Sequence, residues 1–538
     1  MENLKEENAK EEQVKIENVK EEKIKAWLFK KENLIAIGLF IFAFIFRLYY
    51  FIITKNQPLW WDEAEYMSAA KSYAGIVPYE LSGRRLPGFS MIVSLFYRVG
   101  ISNEVVLRFF ILLTPSLLII LLVYLILREM YKDKRIAIIS TLILTVLWEN
   151  VFYSNRFQTE NFALLFQFLA IYVLFRTYIN KRNLAFIKPK YSLIWIAIFS
   201  IIAILFRPGN LPFVPAIFLF LVLINKSKVF SKKGIPFVII FLILFIAALF
   251  IAPKMFPVMY QEYYHTEKSI AWNNLAVFYG FYAPVNQIPA LFFYAFIIGI
   301  IIFLIDLAIN FKKIKTISND SENSEFKSDI FNFLVILCVL AFFIFILRNE
   351  ALEFRWFFPL LTGMLALTNK GLTTFFSYLN MILKNKTIIN ILLIIFVVLG
   401  LYTQIVHADS ITKLKVSSYE QVKEAGLWLK ENSNPKDVIV SASVTQLTYY
   451  SERKIEDFYY NDSEKEKAND TVFNWYIPQL KPRYLAVSVF EPGFTPQWAY
   501  DWPQRHNNSL APVMFYFLDE NKQQPALIIY EFKNYDII

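Results

Sequence analysis

The chain has 538 residues, of which 56% are hydrophobic and 18% aromatic, and its formal net charge is +10. Soluble domains rarely reach this apolar content, and several runs exceed the roughly 18 apolar residues needed to cross a bilayer. The composition therefore indicates a polytopic α-helical membrane protein. Most of the positive charge lies in short loops between apolar runs, which argues against nucleic acid as a partner. With Cys338 as its single cysteine, the chain cannot form an internal disulfide.

The chain divides by composition into three regions, residues 1–31, 32–406 and 407–538. Residues 1–31 are a Lys/Glu tract without an apolar core of the signal-peptide kind, and they predict a solvated cytoplasmic tail. Residues 32–406 carry eleven apolar segments and predict a membrane domain of about 11–13 transmembrane helices. These segments lie near residues 34–53, 105–127, 136–153, 161–179, 191–206, 212–224, 235–252, 289–310, 329–347, 355–369 and 388–406.

The orientation of these segments follows from the Lys and Arg content of the loops, because positively charged loops stay on the cytoplasmic side. The basic loops are 128–135, 180–190, 225–234, 311–328 and 370–386. They alternate with loops 54–104, 154–160, 207–211, 253–288 and 348–354, which are then outside. The sequence therefore predicts a protein of the cytoplasmic membrane with a cytoplasmic N-terminus and an extracytoplasmic C-terminal region.

That C-terminal region, residues 407–538, has the composition of a soluble domain. A helical pattern over Tyr419–Glu431 ends at an Asn/Pro-rich stop. Three β-rich runs follow at Asp437–Ser441, Arg483–Val489 and Pro525–Phe532. We expect a small extracytoplasmic α/β domain that covers the first outer loop.

The first outer loop, residues 54–104, opens with an acidic cluster, Trp60–Tyr66. Carboxylates next to an apolar interface are costly unless they face water, a partner or a substrate. Two stretches of this loop, Asp62–Tyr73 and Gly88–Val99, predict amphipathic helices that lie on the membrane surface.

The segment between these helices adds basic side chains to the acidic ones. Arg84 and Arg85 predict a clamp for phosphate, because a planar guanidinium binds two oxygens at once. Lipid headgroups are the alternative ligand of this pair. For Asp62 and Glu63, the alternative to a catalytic role is capping of a helix N-terminus.

Other charged residues are predicted on the same outer face. Glu160 follows a very short turn, where helix capping is the alternative explanation. Arg207 ends an apolar segment, where snorkelling to the interface would also explain it. Glu350, Glu353 and Arg355 bracket the start of a late segment, where a local ion pair is the alternative.

Taken together, these motifs resemble the GT-C superfamily over about residues 1–406. The resemblance rests on an acidic pair after the first span, a basic stretch before Pro87-Gly88, an Arg-x-x-x-Glu turn before span four, and a Glu- and Arg-containing aromatic entry to a late span. The most similar branch contains the protein O-mannosyltransferases and the aminoarabinose transferase of lipid A. This branch implies inverting transfer of a sugar from a polyprenyl-phosphate carrier (dolichyl or undecaprenyl) outside the cytoplasmic membrane.

The resemblance also implies roles for individual residues. Asp62 corresponds to the catalytic aspartate, with Glu63 beside it and Glu160 as the second acidic position. Arg84 and Arg85 correspond to the basic residues of that loop, although the family's Pro-Pro-Leu-like stretch reads Leu-Pro-Gly here.

The chemistry of the reaction fits these residue types. A phosphate becomes an adequate leaving group once arginines balance its charge, and a weakly nucleophilic hydroxyl needs a carboxylate to accept its proton. Asp62 is the predicted base, and Arg207 joins Arg84 and Arg85 at the phosphate. Tyr79, Glu350, Glu353 and Arg355 are further candidates for substrate contacts or ion pairs.

The predicted partners are a lipid-linked sugar donor, membrane lipids and a hydroxyl acceptor on a protein, glycan or lipid. No cofactor is required by this chemistry. Binding of a divalent ion stays open as an alternative, with His265 and Glu80 as candidate ligands.

Two other functions stay open at this point. A transporter or flippase of lipid-linked sugars needs ionisable groups at mid-membrane, whereas Glu149 and Asp306, the only acids that the sequence places in apolar segments, lie near segment ends. An oligosaccharyltransferase carries Trp-Trp-Asp in its soluble tail followed by Tyr-Gly. Here Trp60-Trp61-Asp62 follows span one and continues with Glu-Ala.

The predicted orientation can be tested by thiol labelling of intact cells. A Ser463→Cys variant should react with a membrane-impermeant thiol reagent, and a Ser231→Cys variant should not. The unmodified chain, whose only thiol is Cys338, gives the background. Labelling of Ser231→Cys alone would invert the orientation and remove the argument for a lipid-linked donor.

Overall fold

The computed structural model describes residues 30–83, 85–232, 234–246, 291–310, 324–346, 354–459, 469–518, 521 and 523–535. Four of the predicted site residues, Arg84, His265, Glu350 and Glu353, lie outside this part of the chain. The tail 1–31 also lies almost wholly outside it. The roles predicted for these residues therefore stay predictions.

Helices account for most of the described chain as far as residue 432. Seven of them are long and apolar enough to cross a membrane, or eight if Lys134–Val146 and Trp148–Ser154, which meet at a bend of 56°, form one span. The chain is thus a multi-pass membrane protein. In chain order the helices are Lys31–Thr54, Trp61–Tyr73, Gly88–Arg98, Glu104–Met130, Lys134–Val146, Trp148–Ser154, Glu160–Ile179, Ser192–Phe206, Phe213–Val229, Ile235–Ile246, Leu291–Ile309, Ser324–Ala341, Leu361–Leu383, Lys386–Lys415 and Glu420–Asn432.

All eleven predicted segments overlap helix, but the described residues do not reach the predicted count of 11–13 spans. Segments 212–224 and 235–252 are covered only by shorter helices. Segment 355–369 begins as a 3₁₀ helix and continues as α-helix to Leu383. The last span runs on to Lys415, past the predicted domain boundary at residue 406.

Two of the late helices, Leu291–Ile309 and Leu361–Leu383, pack at backbone contact. A Cβ atom on Gly299 would lie 1.9 Å from the carbonyl oxygen of Leu367, and one on Gly371 would lie 1.9 Å from that of Ala295. Lipid-exposed helices gain little from the hydrophobic effect, so close backbone approach through small residues is their main route to association. Only glycine fits at either crossing position.

The C-terminal region folds into a five-stranded sheet with flanking helices. The strands are β1 Val438–Ser441, β2 Lys454–Glu456, β3 Tyr484–Ser488, β4 Leu510–Phe517 and β5 Pro525–Phe532. Their order in the sheet is β2-β1-β3-β5-β4, in which β1 runs parallel to β2 and β3, and β5 runs antiparallel to β3 and β4. The helices Val444–Ser451, Asp470–Leu480 and Trp502–Arg505 connect them.

The three predicted strands are confirmed as β1, β3 and β5, and the predicted helix is confirmed as Glu420–Asn432. Two strands were missed for physical reasons. β2 has only three residues, too few for an alternating pattern. β4 contains Pro512, and proline is tolerated in a sheet chiefly at its edge, which is where β4 lies.

The sheet domain docks on the first loop through the helix Val444–Ser451. Ser68 Oγ donates to the carbonyl oxygen of Thr445 at 3.0 Å, and Lys71 Nζ donates to that of Tyr449 at 2.8 Å. The backbone N–H of Leu59 donates to the hydroxyl of Tyr450 at 2.9 Å. Tyr449 and Tyr450 are therefore buried packing residues, and the sheet domain lies on the same side of the membrane domain as the first loop.

This docking corrects one expectation about the first loop. Helix Trp61–Tyr73 is buried from Glu63 to Lys71 and does not lie on the membrane surface. Helix Gly88–Arg98 does present apolar side chains outward, since Met91 and Leu95 are more than half exposed.

The glycine crossing predicts a sharp sequence requirement. We expect Gly299→Ala and Gly371→Ala each to lower the melting temperature of the purified protein by several degrees, because a methyl group forces the two helices apart. Gly38→Ala is the matched control, since a Cβ at that spanning position meets no atom within 4 Å. Equal melting temperatures for all three variants would contradict the packing described.

Candidate functional site

The charged residues predicted from distant parts of the sequence meet at one place, beside the first loop. Asp62 accepts hydrogen bonds from Arg85 and, at 2.9 Å, from Arg355 Nη2. The Nε of Arg355 lies 3.5 Å from Glu160 Oε1, and Arg207 pairs with the same oxygen. We call Asp62, Arg85, Glu160, Arg207 and Arg355 the charged cluster.

Local helix geometry explains how the first loop reaches this cluster. Helix Trp61–Tyr73 begins at the acidic run, so Asp62 and Glu65 lie three residues apart on neighbouring positions of one face. Arg85 uses both acids, because its Nε donates to Glu65 Oε2 at 3.0 Å while its terminal nitrogen reaches Asp62. A single guanidinium thus ties the middle of the loop to the start of its helix.

Glu63 stands apart from the charged cluster. Its carboxylate accepts from the backbone N–H of Trp60 at 3.0 Å, from that of Phe157 at 2.8 Å and from Arg156 Nη1 at 3.1 Å. It is fully buried. Glu63 therefore caps the helix and holds the turn before Glu160 in place, which corresponds to the helix-capping alternative given for it from the sequence.

The electrostatics of Asp62 depend on its two arginines. Burial alone would raise the pKa of this carboxyl, but the positive charges of Arg85 and Arg355 outweigh burial and leave the pKa below its ordinary value. An aspartate held in this way is a carboxylate at neutral pH. It is also a weak base for as long as both guanidinium groups stay bound to it.

Glu160 has an oxygen that the described residues do not satisfy. Its side chain is 4% exposed, and Oε1 faces Arg207 and Arg355. Oε2 is buried and has no hydrogen-bond partner in the part of the chain that the structure describes. A buried carboxylate oxygen without a donor is unfavourable, so this atom is suited to a hydroxyl of a ligand.

The sheet domain also borders the site, because it contacts Trp61, the residue before Asp62. The ring of Trp61 stacks on that of Phe494 with centroids 4.7 Å apart. Glu491, just before Phe494, is nearly buried and accepts from Gln446 Nε2 at 3.1 Å. Burial raises the pKa of Glu491 to about 7, although the hydrogen bond from Gln446 opposes the shift.

The remaining predicted residues lie near the charged cluster or outside the described chain. Tyr79 is half-buried, and its hydroxyl has a raised pKa, first because of burial and then because of the nearby Glu65. Glu80 is exposed. Within the described ranges, no three His, Cys, Asp or Glu side chains are placed to hold a metal ion.

Three contacts of the site escaped sequence reasoning. Glu65 shares Arg85 with Asp62, and its i,i+3 spacing from Asp62 was an available signal. Gln158 accepts from Arg355, and Arg156 pairs with Glu63. Neither of these two could be found without the fold, because their partners lie far away in sequence.

One expectation about acids in the spans is wrong. Besides Glu149 and Asp306, the buried Asp329 lies in a spanning helix. Lys370 Nζ bridges Asp306 and Asp329, at 2.6 Å from each. The sequence hid Asp329 because it falls at the edge of an apolar segment.

Comparisons with known proteins agree with this architecture. The family model described as dolichyl-phosphate-mannose-protein mannosyltransferase matches residues 84–252. No curated protein matches the chain in sequence.

Several solved structures are similar in fold. ArnT from Cupriavidus metallidurans in the apo state is 11% identical over 92% of this chain and 97% of its own, with a TM-score of 0.57. The same protein bound to undecaprenyl phosphate gives 10% identity, the same coverage and a TM-score of 0.58. The apo oligosaccharyltransferase of Archaeoglobus fulgidus is 13% identical over 85% of this chain and 70% of its own, with a TM-score of 0.56.

These likenesses establish the fold. The chain has the GT-C fold, in which its helical membrane domain is followed by a small sheet domain. The superfamily resemblance read from the sequence is confirmed at this level.

The raised pKa of Glu491 predicts a pH-dependent stability. Between its ordinary pKa of 4.5 and about 7, the folded state binds more protons at this site than the unfolded state, so stability falls as pH rises through that window. A neutral Glu491→Gln should escape this loss. We therefore expect the difference in melting temperature, variant minus wild type, to increase by a few degrees as the pH is raised from about 5 to about 8.

The exposed Glu431→Gln serves as the control for this measurement. Its melting temperature should run parallel to that of wild type across the same range. If the Glu491→Gln curve also runs parallel to wild type, Glu491 does not titrate in this window.

Proposed function

We propose that the protein is an inverting glycosyltransferase that moves a sugar from a polyprenyl-phosphate carrier to an acceptor hydroxyl at the outer face of the cytoplasmic membrane. The observation that carries this proposal is the bridge from Arg355 to both Asp62 and Glu160. The bridge joins a base, an acid with an open oxygen and several guanidinium groups on a GT-C scaffold. ArnT of the same fold has been solved with undecaprenyl phosphate bound.

The arginines are suited to the carrier phosphate. Arg85, Arg207 and Arg355 converge on the two carboxylates Asp62 and Glu160. A phosphate offers more oxygens than a carboxylate and carries more charge, so it competes for the same guanidinium forks. Arg84, which lies outside the described residues, would extend this clamp.

Carrier binding would also activate the base. When the phosphate takes over Arg85 and Arg355, Asp62 loses the charges that depress its pKa and becomes able to accept a proton. The acceptor oxygen then bonds to the anomeric carbon, and the bond from that carbon to the phosphate oxygen breaks. The hydroxyl proton goes to Asp62, and the carrier leaves as polyprenyl phosphate.

The other parts of the site would bind the two substrates. Glu160 Oε2 would accept from a hydroxyl of the sugar or the acceptor. The apolar spans would hold the isoprenoid, and the seam at Trp61 and Phe494 would face the acceptor. A protein, a glycan and a lipid all carry suitable hydroxyls.

We propose that this transfer requires no metal ion. The charge on the leaving phosphate would be balanced by guanidinium groups, so the chemistry needs no further cation. His265 lies outside the described residues, and its role as a candidate ligand stays a prediction.

The two alternative functions receive less support. The ionic triad Asp306–Lys370–Asp329 would suit a transporter only at mid-membrane. Asp329 also accepts from Tyr131 at 2.7 Å, which places the triad next to the basic loop 128–135 and hence at a span end. The solved oligosaccharyltransferase resembles this chain in fold only. Its class carries Trp-Trp-Asp in the soluble tail, whereas Trp60-Trp61-Asp62 lies in the first loop here.

The proposal is tested by substituting the base. Asp62→Asn keeps the shape of the side chain and removes its basicity, and we expect transfer to fall by about 10²–10⁴-fold. The assay follows release of polyprenyl phosphate in proteoliposomes supplied with lipid-linked sugars and acceptors extracted from the source cells. A flippase would leave the donor intact.

Asp409→Asn is the matched control, because this aspartate lies in the last span, pairs with Lys413 and takes no part in the charged cluster. It should retain wild-type transfer. Transfer by Asp62→Asn above about a third of the wild-type rate would exclude Asp62 as the base.

A further inference from the structure

A cavity at the opposite end of the membrane domain from the charged cluster is not used by the proposed reaction. It has a volume of about 400 Å³. Its floor is the turn between helices Glu104–Met130 and Lys134–Val146, and one side is the start of helix Lys31–Thr54. We propose that this cavity binds the phosphodiester headgroup of an anionic phospholipid.

Charge is the first argument for this ligand. Arg128, Lys132, Lys134 and Arg135 line the cavity, against one carboxylate, Asp133. That carboxylate is already engaged, because Arg135 donates to it through Nη2 at 2.7 Å and through Nε. The Asp133–Arg135 pair is close to neutral, and Glu325 adds a second carboxylate, which accepts from the backbone N–H of Lys132 at 3.0 Å. The four basic side chains outnumber these two carboxylates, so the cavity keeps a positive potential that suits an anion.

The geometry of Arg128 is the second argument. Its Nη1 donates to the hydroxyl of Tyr124 at 2.9 Å, and its guanidinium lies over the ring of the same tyrosine. These contacts orient the guanidinium without neutralising its charge. An oriented arginine is suited to phosphate, because two of its N–H groups can bind two oxygens at once.

The apolar part of the lining distinguishes a lipid from a free anion. Ile35 and Ile138 border the cavity together with the ring of Tyr124. Ile35 is 45% exposed on the first spanning helix, whose neighbouring Leu34 is similarly exposed. A ligand with a phosphate at one end and acyl chains at the other would contact both surfaces. Basic pockets between helix ends on the cytoplasmic side commonly bind anionic headgroups in this way.

The test compares lipid binding by three variants with that of wild type. Native mass spectrometry in neutral detergent counts bound phosphatidylglycerol, with phosphatidylcholine as the zwitterionic comparison of zero net charge. We expect wild type to retain phosphatidylglycerol. The triple variant Arg128→Gln, Lys132→Gln, Lys134→Gln should bind it about tenfold more weakly or worse.

Two further variants separate this site from general attraction to basic loops. Arg182→Gln, Lys188→Gln, Lys190→Gln removes the same charge from a neighbouring basic loop that does not line the cavity, and it should bind as wild type does. Ile35→Trp leaves every charge in place and fills the apolar side of the cavity, so it should lose phosphatidylglycerol binding. It tests the cavity independently if the triple cavity variant folds poorly.

The outcomes are distinct. Loss of phosphatidylglycerol in the cavity variants, with retention in the loop variant, supports the headgroup site. Equal loss in both triple variants would overturn it in favour of a diffuse basic surface. Inorganic phosphate could instead raise the melting temperature of wild type while no phosphatidylglycerol is retained. That result would overturn the lipid-headgroup site and assign the cavity to a free anion.

Discussion

The guanidinium of Arg355 is the interaction on which the site depends. It binds Asp62, which lies 293 residues earlier in the chain, and approaches Glu160 and Gln158 on a third segment. Buried charges are tolerated only when they are paired, and removal of one partner leaves the other uncompensated. The first loop, the turn before Glu160 and the late 3₁₀ helix are therefore held in register by one side chain.

A second layer of arginines keeps this register rigid. Arg156 pairs with Glu63 and lies over the ring of Trp60, 3.5 Å from its centroid. Arg108 donates to the carbonyl oxygens of Gln57 at 2.8 Å and Asn155 at 3.2 Å. Arg108 thereby satisfies backbone groups of the loop and the turn, which would otherwise be buried without partners. In the proposed reaction, a phosphate would replace Asp62 on its arginines without loss of the surrounding structure.

The sequence predicted the parts of the site that depend on local patterns. Helix periodicity and apolar length placed the spans, and the first-loop helix was predicted to within one residue of Trp61. Asp62, Arg85, Glu160, Arg207 and Arg355 were all singled out individually. The first loop was expected to bring Asp62 near Arg85. The pairing with Arg355, Glu160 and Arg207 was not predicted, because ion pairs between distant segments depend on how the helices pack, which one sequence does not encode locally. The same reason hid the pairing of Glu63 with Arg156.

The central claim is that a carrier phosphate displaces Asp62 from its arginines. A cryo-electron microscopy structure of the protein in nanodiscs with bound polyprenyl phosphate tests it most directly. The account predicts a phosphate within hydrogen-bond distance of Arg85 and Arg355, with Asp62 separated from at least one of them. A phosphate bound elsewhere, with both ion pairs of Asp62 intact, would contradict it.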